Sequence, residues 1–136
     1  MRAILVDAGP LIALLDRSDR HHAAVVAASR EIREPRLTVW PAVTEAMYLL
    51  ASAGLPTDGL WRMIESKALE LAPLDASDAQ RMRELMAKYA DRPMDLADAA
   101  LVRVAEREDI IRVFTLDRAD FQAYRRNGKH SFELIP

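Results

Sequence analysis

A chain of 136 residues, 51% hydrophobic and 29% charged, carries enough apolar material for one core of ordinary size spanning 1–136, which excludes both a disordered polymer and two packed domains. With no cysteine, disulfides, zinc-thiolate sites and thiol catalysis are excluded, any metal must be held by oxygen or histidine, and the cytoplasm is the expected setting. A net charge of -2 neither attracts nor strongly repels nucleic acid, and no apolar window approaches the roughly 18 residues of a membrane span.

The first apolar run, 3–6, reads as a buried strand, followed by a turn at Asp7-Ala8-Gly9-Pro10 and a helix with Leu11, Leu14 and Leu15 on one face. A second helix is predicted over 19–32 and a second strand over 37–40. Pro41 then opens a helix that Gly54 ends. Thr57 N-caps a helix carrying Leu60, Trp61 and Ile64, a strand follows at 69–72, and 75–89 is helical. After the loop at Asp91-Arg92-Pro93, a helix covers 95 to about 107. A strand at 110–114, a short helix at 119–124 and an edge strand at 132–135 complete the chain. Strands alternating with helices predict an α/β fold, a three-layer α/β/α sandwich with a central, mostly parallel sheet of about five strands.

In such sheets ligands bind beyond the carboxyl ends of the strands, and two acids fall there. Asp7 directly follows Val6, and Asp117 lies three positions past Phe114, so the two meet if the first and fourth strands are neighbours. Glu45, in the first turn or so of the helix opened by Pro41, and Asp98, one turn into the helix starting near Asp95, face the same rim. Four carboxylates in one pocket repel one another unless some protonate or a cation binds. An all-oxygen site selects a hard ion, magnesium or manganese. Such an ion keeps waters that can be activated or displaced by phosphate oxygens, which is the chemistry of phosphodiester hydrolysis. Arg92 or Arg118 could grip the nucleic-acid backbone.

Each acid also has a plainer reading. Asp95 suits an N-cap and Asp98 the third position of the same helix; Asp7 suits a turn before Gly-Pro; Glu45 suits a helix-dipole partner and Asp117 a cap. Only the four together carry weight. His21 and His22 are adjacent, so on a helix they diverge and cannot readily share an ion, which leaves them surface or capping residues. No glycine-rich phosphate loop, Gly-x-Ser-x-Gly elbow or late-strand lysine is present.

The segments Ile4-Leu5-Val6-Asp7-Ala8-Gly9-Pro10-Leu11, Thr44-Glu45, Met94-Asp95-Leu96-Ala97-Asp98-Ala99 and Thr115-Leu116-Asp117 with Phe121 resemble, in order and spacing, the PIN-domain ribonucleases, most closely VapC-type toxins of toxin-antitoxin pairs. The resemblance implies an α/β/α fold with an acidic pocket binding magnesium or manganese. Asp7 and Asp98 match the principal metal-binding acids, Glu45 and Asp117 the remaining active-site acids, and Asp95 an extra acid of open role. It also implies cleavage of RNA, often a transfer or ribosomal RNA at a single-stranded loop, a small antitoxin partner, and a homodimer. Partner binding is expected near the first helices, around Leu14, Leu15 and Val26. One departure stands out: Ala8 occupies the position where many relatives carry Thr or Ser, and the lost hydroxyl should weaken ordering around the metal without removing a ligand. Two other readings share the fold, a catalytically silent PIN-like RNA-binding or assembly module and a hydrolase of small phosphorylated compounds.

Overall fold

The computed structural model describes residues 2–136. Its five strands, β1 (Ile4–Val6), β2 (Arg36–Thr38), β3 (Glu70–Leu71), β4 (Arg112–Phe114) and β5 (Glu133–Ile135), form one parallel sheet in the order β3-β2-β1-β4-β5. Seven helices surround it: α1 (Ala8–Leu15), α2 (His22–Glu31), α3 (Trp40–Ser52), α4 (Asp58–Glu65), α5 (Ala79–Lys88), α6 (Leu96–Glu108) and α7 (Arg118–Ala123). The α/β/α expectation holds, and so does the adjacency of the first and fourth strands, with Val6 opposite Phe114.

Successive side chains of a strand point to opposite faces, so Ile4 and Val6 enter one core and Leu5 the other. The first core joins Ile4, Val6 and Phe114 to Leu11, Val25, Val43, Leu50 and Leu60 of α1 to α4. The second joins Leu5, Leu37 and Val113 to Leu85 of α5, Leu101 and Val104 of α6, and Phe121 of α7.

Boundaries move for local reasons. α1 starts at Ala8, earlier than predicted, because Asp7 is in extended conformation and its carboxylate accepts from the Ala8 N–H, while Pro10 in the first turn forfeits no needed donor. α2 starts at His22, since the Asp19 carboxylate accepts the His21 N–H and holds that segment as a turn. β2 stops at Thr38, and Trp40 already belongs to α3. Gly54 ends α3 as expected, at φ +74°, with the Leu55 N–H returning to the Leu50 carbonyl at 2.9 Å. The stretch predicted as one helix over 75–89 divides into a 3-10 turn at Ala76–Asp78, capped by Asp75, and α5.

Candidate active site

The rim at the carboxyl ends of β1 and β4 opens into a cleft of about 350 Å³ whose lining includes Asp7, Glu45, Asp95, Asp98 and Asp117. Asp7 arrives there because its N–H continues the ladder to the Phe114 carbonyl at 3.0 Å, which carries the chain over the edge of the sheet. One Asp7 oxygen accepts from the Ala8 N–H at 2.8 Å and the other from the Thr115 hydroxyl at 2.9 Å. Thr115, fully buried, accepts in turn from the Asp117 N–H at 3.0 Å, so a single hydroxyl ties the β1 and β4 loops together.

Asp95 is the N-cap of α6, accepting the Asp98 N–H at 2.8 Å. That bond satisfies the Asp98 backbone and leaves its side chain to the cleft, where Oδ2 accepts the Tyr124 hydroxyl at 2.8 Å. Glu45 is the sixth residue of α3, not in its first turn, because the helix begins at Trp40; a dipole-partner role is thereby removed. Asp117 sits at the N-cap position of α7 without a side-chain capping bond, so its carboxylate is also released to the cleft.

Crowding shows in the proton affinities. Burial pushes the Asp98 carboxyl up to about 8, with Asp7 adding repulsion against the Tyr124 hydrogen bond. Asp117 rises to about 6 through burial, then a hydrogen bond and repulsion from Asp120. Asp7 rises through burial against its two hydrogen bonds, and Glu45 through partial burial and the charges of Asp7, Asp95 and Asp117. Among the described residues no cation forms an ion pair with Asp7, Glu45, Asp98 or Asp117.

The tightest group is Asp98, Asp117 and Asp120, which offer carboxylate oxygens within 4.8 Å of one another. Opposite ligands of a magnesium ion stand about 4.2 Å apart, so these hard oxygen donors fit one such ion after slight adjustment. Asp7 faces the same cleft with both oxygens already oriented. Asp120 was not anticipated from sequence; its signal was the Asp117/Asp120 spacing of three, which puts both on one face of α7. Thr115 and Tyr124, the two buried hydroxyls beneath the acids, were missed as well.

The basic residues differ from expectation. Arg92 is engaged with Asp120 at 3.0 Å, and Arg118 donates to the Pro136 carbonyl oxygen. The cleft lining includes Arg20 and His21 instead, with Arg20 Nε donating to His21 Nε2 at 3.1 Å. His22 turns away to the Ala13 carbonyl at 2.6 Å, so the two histidines do diverge. A second cleft of about 400 Å³ lies at the amino ends of the strands, but there Arg112 pairs with Glu34 and lies 3.5 Å from Glu133, which leaves no comparable excess of negative charge.

A parallel α/β sheet carries at one rim an acidic cleft whose carboxylates could hold a metal ion. The chain belongs to the PIN domain family, whose model matches residues 4–127. It is 30% identical over 135 residues to Ribonuclease VapC26 of Mycobacterium tuberculosis, spanning 98% of this chain and 100% of that one. In fold it is similar to VapC20 of Mycobacterium tuberculosis, described as a Sarcin-Ricin loop cleaving toxin, with a TM-score of 0.78, 17% identity and coverage of 87% of this chain and 94% of that chain.

Proposed function

We propose that this chain is a magnesium- or manganese-dependent endoribonuclease that hydrolyses RNA phosphodiester bonds as the toxin of a type II toxin-antitoxin system, acting in the cytoplasm as one domain, 1–136. The observation that carries this reading is the gathering of Asp7, Glu45, Asp98 and Asp117 at one rim with no ion pair to any of them among the described residues, beside Asp120, which pairs with Arg92. The name of the VapC26 relative supports a ribonuclease, and PIN membership supports a metal-dependent one.

Asp7 and Asp98, with Asp117 and Asp120 beside them, would hold the divalent ion, which when bound supplies charge to the phosphate oxygens and an activated water. Thr115 orients Asp7, and Tyr124 steadies Asp98. Glu45, half-buried and with its proton affinity raised, is placed to accept a proton at its carboxylate from water entering the cleft. Exposed Arg20 can hold an RNA phosphate at the mouth. A single-stranded loop of transfer or ribosomal RNA suits the open cleft, because unpaired backbone can bend into it where a duplex cannot.

A small antitoxin is the second partner; Leu14, Leu15 and Val26 on α1 and α2 are half-buried and available to it. A homodimer is the third element of the reading, supported by exposed Trp40 and Trp61, whose rings stand 6.4 Å apart, and by exposed Leu96, which lines a cleft together with Trp40. Ala8, which lacks a hydroxyl, bears on the rate of cleavage more than on its occurrence, because no ligand is removed; a catalytically silent PIN-like RNA-binding module is the alternative reading.

The deciding experiment incubates partner-free protein with total RNA, with and without magnesium, beside Asp7→Asn and Asp98→Asn. Magnesium-dependent cleavage by the wild type, reduced on the order of 10³-fold in either variant, is expected from losing several kcal/mol of charge stabilisation. Equal cleavage by all three proteins would overturn the assignment, and no cleavage by any of them would favour the silent module.

A further inference from the structure

Asp98 enters the cleft from α6, but the group that steadies its carboxylate comes from another element, buried beneath the acids. Tyr124, at the carboxyl end of α7, donates its hydroxyl to Asp98 Oδ2 at 2.8 Å. The phenol is fully buried, and its ring stands edge-on to Tyr89 at 5.0 Å and to Phe121 at 5.2 Å; Phe121 stands edge-on to Phe132 at 6.0 Å. A ring clamped on these sides has little freedom to aim its hydroxyl elsewhere. Filling the core alone would be done as well by phenylalanine, without burying a hydroxyl that then requires a partner.

The arrangement along α7 is equally specific. Asp117, Asp120 and Tyr124 fall at intervals of three and four, one face of a helix. Six residues make a helix that is marginal alone, so its position is set by packing, through Phe121 and Tyr124 below and the Arg92–Asp120 pair above. α7 thus presents two acids directly and restrains the third through Tyr124. With Oδ2 engaged, Oδ1 of Asp98 is left without a hydrogen-bond partner among the described residues.

We propose that Tyr124 is a positioning residue that holds Asp98 in register with Asp117 and Asp120, so that the three converge as a preformed ligand set for a hard divalent cation. This rests on the metal-dependent reading above and adds to it a residue outside the acidic set. Groups that hydrogen-bond metal-ligating carboxylates govern affinity by about tenfold or more.

The test is calorimetric titration of Mn²⁺ into the wild type, Tyr124→Phe and Tyr89→Phe, each first shown to unfold cooperatively in chelator. The Tyr89 hydroxyl accepts the Arg125 N–H at 3.0 Å and serves as a control for loosening of the aromatic cluster. Tyr124→Phe should weaken Mn²⁺ binding about tenfold while Tyr89→Phe binds like the wild type. Wild-type affinity in Tyr124→Phe, or equal weakening in both variants, would overturn the positioning role and leave the metal reading standing. A wild type that binds no Mn²⁺ would overturn both. A measurement without substitution uses ring-labelled tyrosine in the wild type: Mg²⁺ should shift the Tyr124 resonances and leave those of exposed Tyr48 in place, and an unmoved Tyr124 would count against the proposal.

Discussion

Asp78 and Asp98 are the same residue at similar burial, 2% and 8% exposed, yet their surroundings are opposite. Asp78 accepts from Arg103 at 2.8 Å, Arg107 at 3.0 Å and the Asp75 N–H at 3.0 Å, and these bonds hold its carboxyl down at about 2 against the effect of burial. Asp98 meets one phenol and a ring of other acids, and its carboxyl is pushed up to about 8. Both of the arginines that neutralise Asp78 belong to α6, the helix that carries Asp98 near its start. The chain has 16 arginines, so the imbalance at the rim does not reflect a shortage of cations. Asp78 is neutralised from within the fold, while Asp98 has no cationic partner among the described residues.

The contrast breaks most visibly under substitution. Asp78→Asn leaves Arg103 and Arg107 facing a neutral amide and should cost about 3 kcal/mol, whereas Asp98→Asn relieves repulsion and should raise the metal-free Tm by a few degrees. Thermal unfolding of both variants in chelator checks the opposite signs; a loss of stability in Asp98→Asn would mean that the rim acids do not repel.

Next comes pH. A carboxyl raised from 3.8 to about 8 by folding contributes stability that is complete below about pH 4 and is lost as pH rises toward 8. Asp117, raised to about 6, acts in the same direction over a narrower window. Asp78, depressed to about 2, contributes above about pH 4 and loses that contribution as pH falls toward 2. The metal-free protein should therefore weaken between pH 4 and 8, and Asp98→Asn should flatten that slope while Asp78→Asn leaves it. Denaturant titrations at successive pH values measure this directly, and an unchanged slope in Asp98→Asn would contradict the crowding.

The smallest effect concerns the mouth of the cleft. Arg20→Ala should weaken RNA binding a few-fold and lower the slope of log affinity against log salt by about 0.7, the value for one phosphate contact on a single strand. Binding curves at several salt concentrations would show it; an unaltered slope would remove Arg20 from the RNA contact surface.

Much of this architecture was readable in order. Apolar triplets such as Ile4-Leu5-Val6, the proline at the start of α3 and the glycine after it are local signals, and local sterics and hydrogen bonding enforce them wherever the segment sits. Helix starts were less legible: Asp7 and Asp19 each hold a neighbouring backbone N–H through their carboxylates, which moves one boundary earlier and the other later. At the site, Asp7, Glu45, Asp98 and Asp117 stood out as acids following apolar strands or near helix starts, and all four line the cleft. Asp120 and Tyr124 did not, although their spacing along α7 was visible, because helical spacing says which residues share a face and not what that face meets.

The amino-acid sequence by itself determined the alternation of strands and helices, the buried triplets, and an acid beyond each of the first and fourth strands, because these depend on side-chain chemistry over a few neighbouring residues. Only the tertiary structure decided that Thr115 ties Asp7 to Asp117, that Tyr124 reaches Asp98, and that the arginines of α6 neutralise Asp78 and leave the rim negative. Thr115 and Asp7 lie 108 residues apart, Tyr124 and Asp98 lie 26 apart, and Arg103 and Arg107 lie 25 and 29 from Asp78; such interactions weaken steeply with distance, so they exist only once packing has set the separation.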